Sequence, residues 1–290
     1  MLLRAFGQTG LQTPALALGA GSLGGPDLED AEVDAVLHGA IDLGLSLIDT
    51  APSYGEAEAR IGRLLRRPRE TYLLSTKGGY GVPGVPDWTG DAIRQGVRLA
   101  LKRLQTDHLD LFFLHSCPLE VLRRDDVLRA VEDVVDEGLV RVAGYSGENE
   151  ALAFALSHPA FGAVQTSVSV VDQHSMNAVL PVNTRCGVLA KRALGNAFWR
   201  HTRCPDAPDV ATYWRRGQAL DLTPALPWPE LMVRFTAFAP GVHTCLVGSR
   251  RLANLKAAVE ALERGPLPAD VLAIIQSRFL ARGRDWQGVI

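Results

Sequence analysis

Four side chains in this sequence are of types that a single reaction can use together. Asp49 closes the apolar run LSLID, Tyr54 follows in APSYGE, Lys77 closes YLLSTK and His115 closes LDLFFLH. A carbonyl carbon that accepts hydride leaves negative charge growing on its oxygen, and that oxygen needs a proton. A phenol can deliver the proton, but an unperturbed phenol has a pKa of about 10 and is a poor acid near neutrality. A neighbouring ammonium favours the phenolate and lowers that pKa. Lys77 can supply the charge, and Asp49 can pair with Lys77 and hold it in place. His115 can donate a hydrogen bond to the substrate oxygen, as donors to a developing oxyanion do. General acid catalysis contributes about 10²–10⁴-fold. Singly, each residue has a plain structural explanation: the Asp as a helix cap, the His as a satisfied core group, the Lys as a chain that snorkels to solvent. It is the combination that points to chemistry.

Residues can act together in this way only if the chain folds their strand ends onto one pocket. Eight short apolar runs read as strands: Ala15–Leu18, Leu47–Asp49, Tyr72–Thr76, Leu109–Leu114, Val140–Tyr145, Ala163–Val168, Gly187–Ala190 and Thr244–Val247. Near-continuous apolar runs suit parallel strands buried on both faces. Helical patterns lie between them. Asp30–Leu43 opens on acidic residues and stops at Gly44, and Glu56–Leu65 ends before Pro68. Thr89–Leu104 opens with an N-cap Thr and repeats apolar residues at three- and four-residue steps. Asp125–Glu137, Leu231–Phe238 and Leu252–Leu262 follow. Repeated strand–helix units argue for a parallel barrel or a doubly wound sheet. The count of eight favours an α/β fold of the (β/α)₈ TIM-barrel type, with one domain over residues 1–290 and an extra C-terminal helix. In such a barrel the active site is built where strands end.

Two regions stand outside the repeat. Arg4–Phe6, Gly10 and Thr13 suit an N-terminal hairpin. Gly195–Glu230 is long and rich in Trp, Arg and Pro. It reads either as a lid on the C-terminal face or as a packed insertion with a short helix at Val210–Ala219.

Bulk properties narrow the function classes. The 290 residues carry a formal net charge of −2, which gives no support for a nucleic-acid or anionic-membrane partner. No apolar run approaches the roughly 18 residues of a membrane span, and MLLRAFGQTG lacks the apolar core of a secretory signal. Cys117, Cys186, Cys204 and Cys245 form no C-x-x-C pair. Reduced thiols and a cytoplasmic location are the simplest expectation. No metal site is expected, since His201 and Cys204 in HTRC supply only two potential ligands. The oligomeric state is left open.

The segments GAIDLGLSLIDTAPSYGEAEARIGRLL, LLSTKGG, VRLALKRLQTDHLDLFFLHS and LVRVAGYSG carry a resemblance to the aldo-keto reductase superfamily that covers nearly the whole chain. The match lies in an Asp, then Tyr-Gly, then Lys, then His, in order and spacing. It implies a (β/α)₈ barrel, a nicotinamide cofactor without metal, Asp49, Tyr54, Lys77 and His115 as the catalytic tetrad, and Tyr54 as proton donor. It further implies that Ser146 and Gln165 meet the nicotinamide carboxamide, that Gly19 and Ala20 lie under the cofactor, and that Lys191 or Arg192 faces the pyrophosphate.

LVGSRRLANLKAAVEAL resembles the segment that binds the adenosine end. Gly248 and Ser249 open that loop, and Asn254 stands where relatives use Gln or Arg. The helix starting near Leu252 would offer free N–H groups to phosphate. Arg250 suits a 2′-phosphate, which favours NADPH, with NADH possible; otherwise Arg250 and Arg251 form a solvated turn. The implied substrate is a small aldehyde, ketone or open-chain sugar. The same chemistry run backwards would make an NAD(P)-dependent aldose dehydrogenase, and a non-catalytic NADPH-binding regulatory protein is the third reading.

Overall fold

A computed structural model describes residues 1–290. The chain opens with an antiparallel hairpin of β1 (Leu3–Ala5) and β2 (Gln12–Pro14). Eight strands then close into a parallel barrel: β3 (Leu16–Gly19), β4 (Leu47–Asp49), β5 (Leu73–Gly78), β6 (Leu109–His115), β7 (Val140–Ser146), β8 (Ala163–Ser167), β9 (Gly187–Lys191) and β10 (Thr244–Val247), with β10 pairing back onto β3. The helices are α1 (Asp30–Asp42), α2 (Ala57–Leu64), α3 (Gly90–Leu104), α4 (Leu119–Leu122), α5 (Asp125–Asp136), α6 (Asn149–Ser157), α7 (Pro208–Leu220), α8 (Trp228–Ala237), α9 (Leu252–Glu263) and α10 (Ala269–Arg282). The expected barrel, hairpin and C-terminal helix are all present. No helix is long and apolar enough to cross a membrane.

The local signals work as read. Thr89 caps α3 by accepting from the Ala92 N–H, and Gly44, at φ 86°, turns the chain out of α1. Helices α6 and α8 differ from the sequence reading. Helix α6 was not expected, because NEALAFALS is apolar almost all round and shows no amphipathic period. Helix α8 starts at Trp228 rather than Leu231, since a proline early in a helix costs no hydrogen bond. The long stretch after β9 is a packed insertion: α7 buries Ala211, Tyr213, Arg216 and Leu220, and Trp199 stacks on Trp228 at 5.8 Å.

Two apolar clusters hold the fold. The larger, of 67 residues, lies between barrel and helices. The smaller fills the barrel and joins Ala17, Leu47, Leu111, Phe113, Val142, Ala163, Leu189 and Leu246 to Phe6 and Leu11 of the hairpin segment. Phe6 plugs the barrel so tightly that a Cβ on Gly187 would lie 2.3 Å from its ring. Side chains alternate across a strand, so residues two or four beyond this inner set also point inward, one layer nearer the C-terminal mouth. Those residues are Gly19, Asp49, Lys77 (with Leu73 packed on the inner cluster), His115, Ser146, Gln165, Lys191 and Gly248. Strand periodicity alone therefore collects most of the polar residues singled out in the sequence at one end of the barrel.

Candidate active site

A cavity of about 780 Å³ opens at that end. At its floor, adjacent strands bring Asp49 and Lys77 together: the Lys77 Nζ donates to Asp49 Oδ2 at 2.7 Å and to the Thr50 carbonyl at 2.7 Å. Ser75 donates to the other Asp49 oxygen at 2.8 Å. Both members of the ion pair are buried. Burial opposes the Lys77 charge, but Asp49, and after it Tyr54, outweigh the loss of water and hold the ammonium above the ordinary lysine range.

Tyr54 comes from the loop after β4. The Lys77 Nζ lies 5.1 Å from the centroid of its ring. The loop is tied to the turn after β3, where the Glu56 N–H donates to the Gly24 carbonyl at 3.1 Å. Gly24 approaches so closely that any Cβ there would collide with the Tyr54 carbonyl. The His115 ring meets Tyr54 edge-on at 6.2 Å. Burial, then the cations Lys77, Lys191 and Arg192, push the His115 imidazole down to about 3, so it is neutral at physiological pH. The structure thus brings all four residues to one floor, and Asp49, Tyr54 and His115 line the cavity.

The other residues singled out in the sequence fall into two groups. Gly19, Gln165, Lys191, Arg192 and Gly248 line the same cavity. The buried Ser146 donates to Gln165 Oε1 at 2.9 Å, while Gln165 Nε2 is buried with no partner. An orphaned amide donor in a cavity wall is costly unless something accepts from it. Lys191 lies 3.3 Å from the buried Glu148, and Arg192 donates to the Val289 carbonyl at 2.8 Å. Ala20, Ser249, Arg250 and Asn254 do not line it. Ala20 is buried behind the wall. Ser249 accepts from Asn254 Nδ2 at 3.1 Å in the loop before α9. Arg250 reaches back across the rim, donating to the Ser22 carbonyl at 3.0 Å and to the Asp27 carboxylate while its side chain stays exposed. Cys117 is buried outside the cavity, its thiol pushed up to about 12 by burial. No group of three or more His, Cys, Asp or Glu side chains is arranged to hold a metal ion.

Sequence reasoning missed Tyr80, Ser53 and Trp88 on one wall and Ile290 on another. The Gly78–Asp87 loop carries Tyr80, but nothing in its spacing marks the phenol. A further sign of a built site is backbone strain. Trp88, Ser116, Arg192, Asn196 and Ala197, all cavity-lining, have positive φ of 61°, 64°, 55°, 51° and 54°, and such conformations concentrate at functional sites.

Residues 15–278 match the aldo/keto reductase family. The chain belongs to that family. Among its aldo/keto reductase relatives, L-galactose dehydrogenase of Arabidopsis thaliana is 34% identical over 155 residues, 50% of this chain and 48% of the plant protein, so that match spans about half the relative's length. D-threo-aldose 1-dehydrogenase of a Pseudomonas species is 27% identical over 91% of this chain and 93% of its own. The structure of an aldo-keto reductase from Bacillus halodurans in its holo form superposes with a TM-score of 0.80 over 96% of both chains at 23% identity, a likeness of fold.

Proposed function

We propose that this aldo/keto reductase, as one barrel unit over its 290 residues, reduces an aldehyde, ketone or sugar carbonyl to the alcohol with NADPH, and less readily with NADH. The observation that carries the reading is the buried Lys77–Asp49 pair beneath Tyr54, on the floor of a cavity that also holds His115 and the partnerless Gln165 Nε2. Family membership supports oxidoreductase chemistry on carbonyls.

The residues present fit a nicotinamide cofactor. Gln165 Nε2, with Ser146 behind it, offers the donor that a carboxamide oxygen needs. Gly19 and Gly248 keep the wall free of side chains, and Ala20 supports it. Lys191 and Arg192 supply positive charge for a pyrophosphate, and Ser249, Asn254 and the N-terminus of α9 suit the adenosine end. Arg250, a planar donor at the rim, suits the 2′-phosphate. Such a cofactor supplies the hydride.

The protein's own residues do the rest. His115 is neutral, so it can orient the substrate oxygen by a hydrogen bond without adding a cation. Tyr54 gives that oxygen its proton. The Lys77 ammonium stabilises the phenolate left behind, and Asp49 keeps Lys77 charged and in place. Burial of Lys77 and Asp49 strengthens the interactions that these two make.

The steps are reversible. The near full-length similarity to D-threo-aldose 1-dehydrogenase favours sugars as substrates and keeps aldose oxidation as the second reading. A role limited to binding cofactor does not need a buried ammonium beneath a phenol. The test is a panel of aldehydes, ketones and aldoses followed by nicotinamide absorbance in both directions. Turnover with NADPH supports the proposal. No turnover, together with no rise in melting temperature on adding NADPH or NADH, contradicts it.

A further inference from the structure

We propose that Tyr80 is a positioning residue whose hydroxyl holds His115 in the tautomer that presents an Nε2–H to the substrate oxygen. The inference rests on the carbonyl-reductase reading and adds to it a residue outside the four on the cavity floor.

The geometry is specific. Tyr80 Oη lies 2.7 Å from His115 Nδ1 and 2.8 Å from Ser53 Oγ. The Tyr80 ring packs 5.6 Å from the imidazole on one side and 5.6 Å from Trp88 on the other. Trp88 is itself held: its backbone N–H donates to the Gly79 carbonyl at 2.5 Å, and its ring lies against the Gly79 Cα. The phenol is therefore held in place by packing.

A neutral imidazole carries one proton on one of two nitrogens, and the partner of the other nitrogen decides which. His115 is neutral here. Its Nε2 makes no hydrogen bond within the protein, and its Nδ1 meets only Tyr80. If Nδ1 held the proton, Nε2 would turn a lone pair toward the cavity and repel a carbonyl oxygen. If Tyr80 donates to Nδ1, the proton must sit on Nε2, where it can be given to that oxygen. Tyr80 is suited to donate, because burial pushes its phenol above the ordinary range and keeps it protonated. The 2.8 Å contact between Tyr80 Oη and the exposed Ser53 Oγ joins two hydroxyls, each able to donate or accept; when the Tyr80 proton goes to Nδ1, the Ser53 proton can turn to Tyr80 Oη in its place.

The test is Tyr80→Phe in the full chain, which keeps the ring between Trp88 and His115 and removes only the hydroxyl. Long-range ¹H–¹⁵N imidazole spectra read the tautomer directly, with His115 assigned by its loss in His115→Gln. We expect the Nε2–H form in the wild type. We expect a rise of about tenfold in the Nδ1–H to Nε2–H ratio in the variant, the equivalent of one hydrogen bond. In turnover, kcat/KM for the carbonyl should fall by about the same factor, with NADPH affinity unchanged. Ser53→Ala should move both readouts the same way by less. An Nδ1–H wild type, or an unchanged tautomer ratio in Tyr80→Phe, would overturn the inference. The spectra need no turnover, so an inactive wild type would count against the proposed reaction and leave the tautomer result to decide the role of Tyr80.

Discussion

Lys77 and Asp49 sit on neighbouring strands of the barrel, joined at 2.7 Å with neither side chain reaching bulk water. Removing one partner of such a pair strands a buried charge, which typically costs about 3–5 kcal/mol. Asp49→Ala should therefore destabilise the fold on that scale as well as abolish turnover. Urea titration checks it: a midpoint equal to the wild type would mean that Lys77 finds another counter-charge.

The Asp27–Arg250 pair at the rim bears on cofactor choice. Arg250→Ala should raise the Kd for NADPH by about 10–100-fold, the range for lost charge-assisted hydrogen bonds, and leave NADH nearly unchanged. Asp27→Ala should act in the opposite direction on NADPH by freeing the guanidinium. Titration of both variants with both cofactors measures this; equal loss of NADPH and NADH in Arg250→Ala would remove Arg250 from the role of 2′-phosphate reader.

His115 gives a pH prediction with a definite sign. Its ordinary value of 6.5 falls to about 3 in the fold because of burial and the nearby cations. The unfolded chain takes up a proton below 6.5, whereas the native site refuses it until about 3. The contribution of a neutral His115 is thus fully present above 6.5 and is lost progressively as pH falls toward 3. Denaturant titrations at several pH values should show His115→Gln losing less stability than the wild type across that window. In turnover, kcat/KM should show no inflection near 6.5.

Much of this was legible in the sequence because strand periodicity and strand-end placement are local properties. Asp49, Lys77 and His115 each close an apolar run, and alternation alone then points them into the barrel. Helix α6 was not legible, because a helix apolar all round carries no period. Nor was Tyr80, since a loop phenol acquires meaning only when β6 brings His115 beside it. The partners of Lys191 and Arg192 also lay beyond sequence reading. Glu148 and Val289 reach them through tertiary packing, and no spacing rule encodes that. In the insertion after β9 the helix at Val210–Ala219 was legible but its docking was not: α7 is held by burial of Tyr213 against Asp172, which accepts from its hydroxyl at 2.9 Å.

The inner plug offers a structural check. Gly187→Ala would place a methyl 2.3 Å from the Phe6 ring, and overpacking of this kind costs about 1–3 kcal/mol. Thermal melts should show a lower Tm, and Phe6→Leu should partly restore it by making room.

The most direct measurement is the kinetics of Tyr54→Phe with a turned-over carbonyl and NADPH. Deleting one oxygen above the Lys77 ammonium should cut kcat by at least ~100-fold, as for loss of a general acid, while the Kd for NADPH stays within a factor of about two of the wild type, an oxygen remote from the phosphates having little share in that affinity. A kcat equal to the wild type would contradict the role given to Tyr54 and, with it, the chemistry assigned to this cavity.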